Sequence, residues 1–297
     1  MTVGTGGGTR TGGILPPMPH PRADAATPAL ALWLLAAWTV GSALWFVSSK
    51  FPMAPLVALQ QASGGWLSVT LVASMGIGLV QLAILAGPGR RTPASFGWRW
   101  RDLPAGLAAG VLLWGLMHGP MLGGWVAGAG PLEMHPAWAT GLGIALGPLL
   151  AQLLGTALVE ETVFRGFLWP EFVRRLGGGR RGAWIGAIAS QAVFALLHLP
   201  IRLSQGASGG ELVATVLGLM LVGLVFVVVY AATGNLFVAV AVHALGNAPT
   251  LLLAPQGAPT MWLLGGTLAL VAAAAWRRRD RDTGVPPSSL VASRAHP

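Results

Sequence analysis

Long apolar runs separated by short polar breaks set the pattern of this chain. The runs come close to the roughly 20 residues that a helix needs to cross a bilayer. Eight of them can be marked off, at 29–47, 66–86, 102–126, 142–173, 183–199, 212–231, 236–253 and 260–276. In hydrocarbon every backbone polar group must be satisfied internally, so such runs predict helices. The expected fold is all-α, a polytopic membrane protein formed as a bundle of about eight transmembrane helices. Residues 1–28 are rich in Gly, Pro and Thr and hold no apolar run; they are expected to form a disordered cytoplasmic tail rather than a cleavable signal peptide. The transmembrane domain is expected over 29–276, and a basic cytoplasmic tail over 277–297.

Composition agrees with this picture. Of 297 residues, 54% are hydrophobic and 9% charged, against about 25% charged in soluble proteins. Mean hydropathy is +0.67. The net charge of +9 does not imply nucleic acid as a partner, because the arginines lie in short loops beside apolar spans. Eight spans would put both termini on one side, together with 16 of the 18 basic residues. The other side would keep only Lys50 and Arg202. That asymmetry predicts cytoplasmic termini and a cell-membrane location. The absence of cysteine excludes disulfides, thiolate metal sites and cysteine nucleophiles. Gly106, Gly110, Gly115, Gly119 and Gly123 in the third span form a small-residue ridge suited to close helix packing. The basic stretch RRTPASFGWRWRD, with Trp98 and Trp100, reads as interfacial.

Chemistry enters at 159–172, VEETVFRGFLWPEF, where two adjacent carboxylates and an arginine follow a long uncharged run. Charges at membrane depth are costly and tend to pair or to mark a function. Glu161 and Arg165 are four apart with Glu first, the favourable order for an ion pair on one helix face. Glu160 has Phe164 at that spacing and so has no charged partner in its own helix. A carboxylate left in such a place is poised for proton transfer. A structural pair beside a snorkelling Glu is the plainer alternative.

Two further spans carry polar pairs at helical spacing: Phe194 and His198 in the fifth, His243 and Asn247 in the seventh. Glu160 and His198 lie about equally far from the hairpin turn near Gly178 and Gly179, so they can face each other at similar depth. Gln191, seven residues before His198, shares nearly its face and reads either as a support of the site or as an interhelical packing residue. His118, beside Pro120, reads as a hinge or packing residue. His20, His135 and His296 fall in tails or a loop.

The set Glu160-Glu161-x-x-x-Arg165-Gly166, then Phe194-x-x-x-His198, then His243-x-x-x-Asn247, resembles the three motifs of the CAAX prenyl endopeptidase and bacteriocin-processing (CPBP, or Abi) family of intramembrane proteases. The resemblance covers about 132–253. It implies that Glu160 is the general base that activates water and that His198 shares or orients that water. His243 and Asn247 would stabilise the oxyanion, and Glu161 and Arg165 would be a structural pair, with Phe194 supporting. It implies a peptide or protein substrate at the bilayer, with or without a lipid attached. No nucleotide or organic cofactor is expected. One alternative is a zinc-dependent protease with Glu160, His198 and His243 as ligands. Others are a non-enzymatic membrane scaffold or bacteriocin-immunity protein, and a proton-coupled transporter, which the lack of internal repeats disfavours.

Overall fold

A computed structural model describes residues 26–255 and 257–283. The expected tails fall largely outside this range. Arg10, Arg22 and His20 on one side, and Arg294 and His296 on the other, lie outside the described residues.

The chain is helical nearly throughout. Its helices are α1 (Ala29–Phe46), α2 (Met53–Ala62), α3 (Val69–Ala86), α4 (Leu103–Met117), α5 (Gly119–Val126), α6 (Ala137–Thr140), α7 (Leu142–Leu154) and α8 (Thr156–Glu161), followed by a π-helical segment (Thr162–Leu168). Then come α9 (Trp169–Arg175), α10 (Gly179–Leu196), α11 (Leu199–Ser204), α12 (Gly209–Thr233), α13 (Leu236–Asn247) and α14 (Pro259–Thr283). Local signals mark several boundaries. Ser68 caps α3 through a bond from Leu71 N at 3.1 Å, and Ser208 with Glu211 forms a capping box on α12. Gly234, at φ 66°, ends α12 in the left-handed conformation that glycine adopts without strain.

Seven helical stretches are long and apolar enough to cross a membrane, so the chain is an all-α, multi-pass membrane protein. The expected seventh span, 236–253, differs from the rest. Only Leu236–Asn247 is helical there. Twelve residues rise about 18 Å, short of a hydrocarbon core about 30 Å thick. This helix is buried on all sides: Leu236 and every residue from Val238 to Leu245 are inside. A helix enclosed by protein is apolar all round, as a lipid-facing span is, so hydropathy alone does not separate the two.

α13 runs alongside α4 in the same direction, with Gly106 against Phe237 and Gly110 against Ala241. The chain beyond it is irregular but pinned. Trp114 Nε1 donates to Thr250 O at 3.0 Å, Trp138 Nε1 to Leu251 O at 2.9 Å, and Leu252 N to His118 Nε2 at 3.0 Å. Irregular backbone at membrane depth is tolerated where protein satisfies it in this way. His118 lies at the break between α4 and α5, so it is both a joint and an acceptor. α2 escaped hydropathy because it is short; it has no buried residue. The last helix runs on through the RRRDRD stretch to Thr283.

One end of the bundle gathers the basic loops. Glu171 accepts from Thr27 Oγ1 (3.0 Å), Arg175 (2.7 Å) and Arg174, and Arg91 approaches it at 3.4 Å. In the same loop as Arg91, Arg99 reaches Gly234 O, and Asn235 Nδ2 donates to Asp102 O at 2.7 Å.

The glycine ridge divides by use. A Cβ on Gly106 would overlap Phe237 and come 3.0 Å from its backbone carbon, whereas Gly115 and Gly123 face open space. Gly106→Ala should therefore destabilise the protein by about 1–3 kcal/mol through overpacking. Gly123→Ala should be neutral or slightly stabilising. Thermal unfolding of the two variants in detergent checks this difference.

Candidate active site

The α7–α9 column carries both glutamates. Gly155 breaks it between α7 and α8, where a Cβ would press on Ala151 O and lie 3.2 Å from Ser74 Cβ. Thr156 Oγ1 and Ser74 Oγ are 2.8 Å apart across α8 and α3. Glu160 and Glu161 end α8, and the π turn begins at once. Such π segments occur frequently at functional sites. The loop at 90–102 braces this turn from outside. Trp98 Nε1 donates to Thr162 Oγ1 at 2.8 Å, and Phe96 packs so tightly on Gly166 that a Cβ there would strike its backbone.

Glu161 and Arg165 are fully buried, with Arg165 Nη1 3.1 Å from Glu161 Oε1. The guanidinium has other holders. Its Nη2 donates to Gln191 Oε1 at 2.8 Å and to Gly223 O at 3.1 Å. Its Cζ lies 5.0 Å from the ring centre of Phe194 and 5.1 Å from that of Phe226. Aromatic faces attract a cation, more so when it is desolvated. A Cβ on Gly223 would lie 3.1 Å from Arg165 Nη2, so the glycine makes room for the arginine. Gln191 and Phe194 thus both touch Arg165.

His243 stands between the two glutamates. Its Nδ1 is 2.7 Å from Glu161 Oε1, and its Nε2 is 3.6 Å from Glu160 Oε2. Because a carboxylate oxygen accepts, Nδ1 carries the proton on the Glu161 side. Phe226 stacks on the imidazole at 4.5 Å and 16°. Glu161 is sealed, but the Glu160 side chain keeps 23% of its exposure. Glu160 therefore has a partner after all, from another helix.

His198 sits at the join of α10 and α11. Its Nδ1 donates to Phe194 O at 2.8 Å, which leaves Nε2 unprotonated in the neutral ring. Phe194 meets its edge at 4.8 Å. His198 makes no direct ion pair with Glu160, which instead lies 3.6 Å from His243 Nε2. Asn247 is exposed at the end of α13, and its Nδ2 donates to Gln152 Oε1 at 3.0 Å.

The zinc alternative can be tested on this geometry. The bond to Glu161 uses Nδ1 of His243 and leaves its Nε2 on the Glu160 side. Among the described residues no three His or acidic side chains are grouped to hold a metal.

An apolar cavity of about 540 Å³ lies between α4, α7 and α13 and is lined by Leu107, Val111, Leu150, Leu154, Phe237 and Leu245 among others. Neither glutamate nor either motif histidine lines it.

Residues 142–249 match the model of the Rce1-like type II CAAX prenyl endopeptidases. That segment is Rce1-like. It runs from α7 to just beyond α13 and contains every motif residue, so the resemblance read from the three motifs is borne out. The Rce1-like segment supports a CAAX-protease type of intramembrane peptidase. No curated protein and no solved structure matches the chain.

Sequence reading missed three contributors. Phe226 and Gly223 are ordinary residues of an apolar helix and carried no signal. Gln152 did carry one, as the sole strongly polar side chain in α7.

Removing one member of a buried pair leaves an uncompensated charge. Arg165→Met should cost about 3–5 kcal/mol. Adding Glu161→Gln to it should recover part of that loss. Denaturation of the single and double variants in mixed micelles, followed by tryptophan fluorescence, measures both.

Proposed function

We propose that this protein is an intramembrane endopeptidase that hydrolyses a peptide bond with a water activated by Glu160. The observation that carries this reading is the position of Glu160: a partly exposed carboxylate at membrane depth, beside His243, within the Rce1-like segment. A general base needs a site that admits water and substrate, and its sealed neighbour Glu161 cannot serve. In this reading His198 offers its free Nε2 to the same water. His243 and Asn247 supply N–H groups to the oxygen that becomes negative in the tetrahedral intermediate.

For His243 that role requires a proton on Nε2 as well as Nδ1. With His243 cationic, two carboxylates meet two cations, Arg165 and His243, and the buried cluster is neutral. As the intermediate forms, the proton on Nε2 faces either Glu160 or the new oxyanion. Glu161 and Arg165 orient the ring without touching substrate. The substrate class proposed is a peptide or protein segment at the bilayer surface, with or without a lipid attached. Both termini are proposed to be cytoplasmic, in keeping with the gathering of Arg91, Arg99, Arg174 and Arg175 at one end. The mechanism proposed uses no metal.

Purified protein in liposomes, given a quenched fluorescent peptide library with lipidated and plain members, tests this. Glu160→Ala and His198→Ala should each lower kcat by about 10²–10⁴-fold. A chelator should leave the wild-type rate unchanged. Restoration of a chelator-suppressed rate by zinc would overturn the metal-free reading. Equal rates for wild type and both variants would overturn the assignment of the site.

A further inference from the structure

α7 is an apolar helix with one strongly polar side chain, Gln152. It is half-buried, and its Oε1 accepts the Asn247 Nδ2 bond at 3.0 Å. A carboxamide at such a depth is costly unless it is hydrogen-bonded. This pair joins α7, the helix just before the Gly155 break and the glutamates of α8, to the last residue of α13, the helix that carries His243.

The geometry of a carboxamide gives that bond a further effect. The Nδ2 group has two hydrogens in the plane of the amide. With one directed at Gln152, the amide can no longer rotate freely and the direction of the second N–H is set. A donor fixed before reaction need not reorganise as charge develops, and this is where such donors act most strongly. We propose that Gln152 is a positioning residue of the site, acting through Asn247 to aim its second N–H at the reacting oxygen. This rests on the reading of Asn247 as an oxyanion donor. A simple clamp between α7 and α13 would hold the helices together without setting that N–H.

The chain has two asparagines, Asn235 and Asn247. Asn235 caps α13 at its other end, accepting from Phe237 N and donating to Asp102 O. The full-length protein labelled with ¹⁵N-asparagine therefore shows two side-chain amides, one of them an internal control. In detergent, Gln152→Leu should move the Asn247 amide signals and leave those of Asn235 in place. Gln152→Glu keeps the acceptor and should leave Asn247 near its wild-type position.

Kinetics provide the second readout. Gln152→Leu should lower kcat about tenfold at unchanged KM, less than the 10²–10³-fold expected for loss of a donor outright. Gln152→Glu should recover most of the rate. Asn247→Ala should be no worse when combined with Gln152→Leu, because the positioning residue acts only through the asparagine. An unmoved Asn247 signal in Gln152→Leu, or losses that multiply in the double variant, would overturn the positioning role. Failure of wild type to cleave any peptide while the Asn247 signal still moves would overturn the peptidase reading and, with it, the catalytic purpose of this contact.

Discussion

An ion pair cut off from water is the constraint around which this bundle is arranged. Glu161 and Arg165 are both fully buried, and the attraction between them does not by itself offset the loss of hydration. The remaining stabilisation comes from other helices. α10 supplies Gln191 and Phe194, α12 supplies the Gly223 carbonyl and Phe226, and α13 supplies His243. Four elements thus meet at one guanidinium and one carboxylate. The π turn that holds Arg165 sits at their centre, and the loop carrying Phe96 and Trp98 closes it from outside.

This arrangement sorts the two adjacent glutamates into different tasks. They are neighbours in sequence, but a helix turns about 100° per residue, so they face different surroundings. Glu161 is walled in by charges and orients His243. Glu160 touches the same imidazole from a position that solvent can reach. One histidine is thereby held by a fully buried carboxylate on one nitrogen and faces a partly exposed one on the other.

Much of the fold was legible because apolar runs of membrane-spanning length have few other uses. α1, α3, α12 and the joined α7–α9 column fall close to where the runs predict them. α13 was drawn too long, since a helix enclosed by protein and one facing lipid share the same composition. The Glu161–Arg165 contact followed from spacing alone. The contact of Glu160 with His243 instead of His198 did not, because depth fixes the height of a side chain and leaves its azimuth free. Phe226 was invisible among the valines and leucines of α12. Gln152 was visible as a polar residue, but its partner could be found only once α7 and α13 had been set side by side.

The Glu171 cluster adds a consequence of its own. Glu171 lies ten residues beyond Glu161 in the same helical column and is held by Thr27, Arg91, Arg174 and Arg175. A rod gripped at two heights by groups on several sides can neither slide along its axis nor spin about it. Both grips lie beyond Glu160 in the column and fix its bearing from that side, and the ionic collar at the rim of the bundle acts as the tailstock that keeps the carboxylate on line.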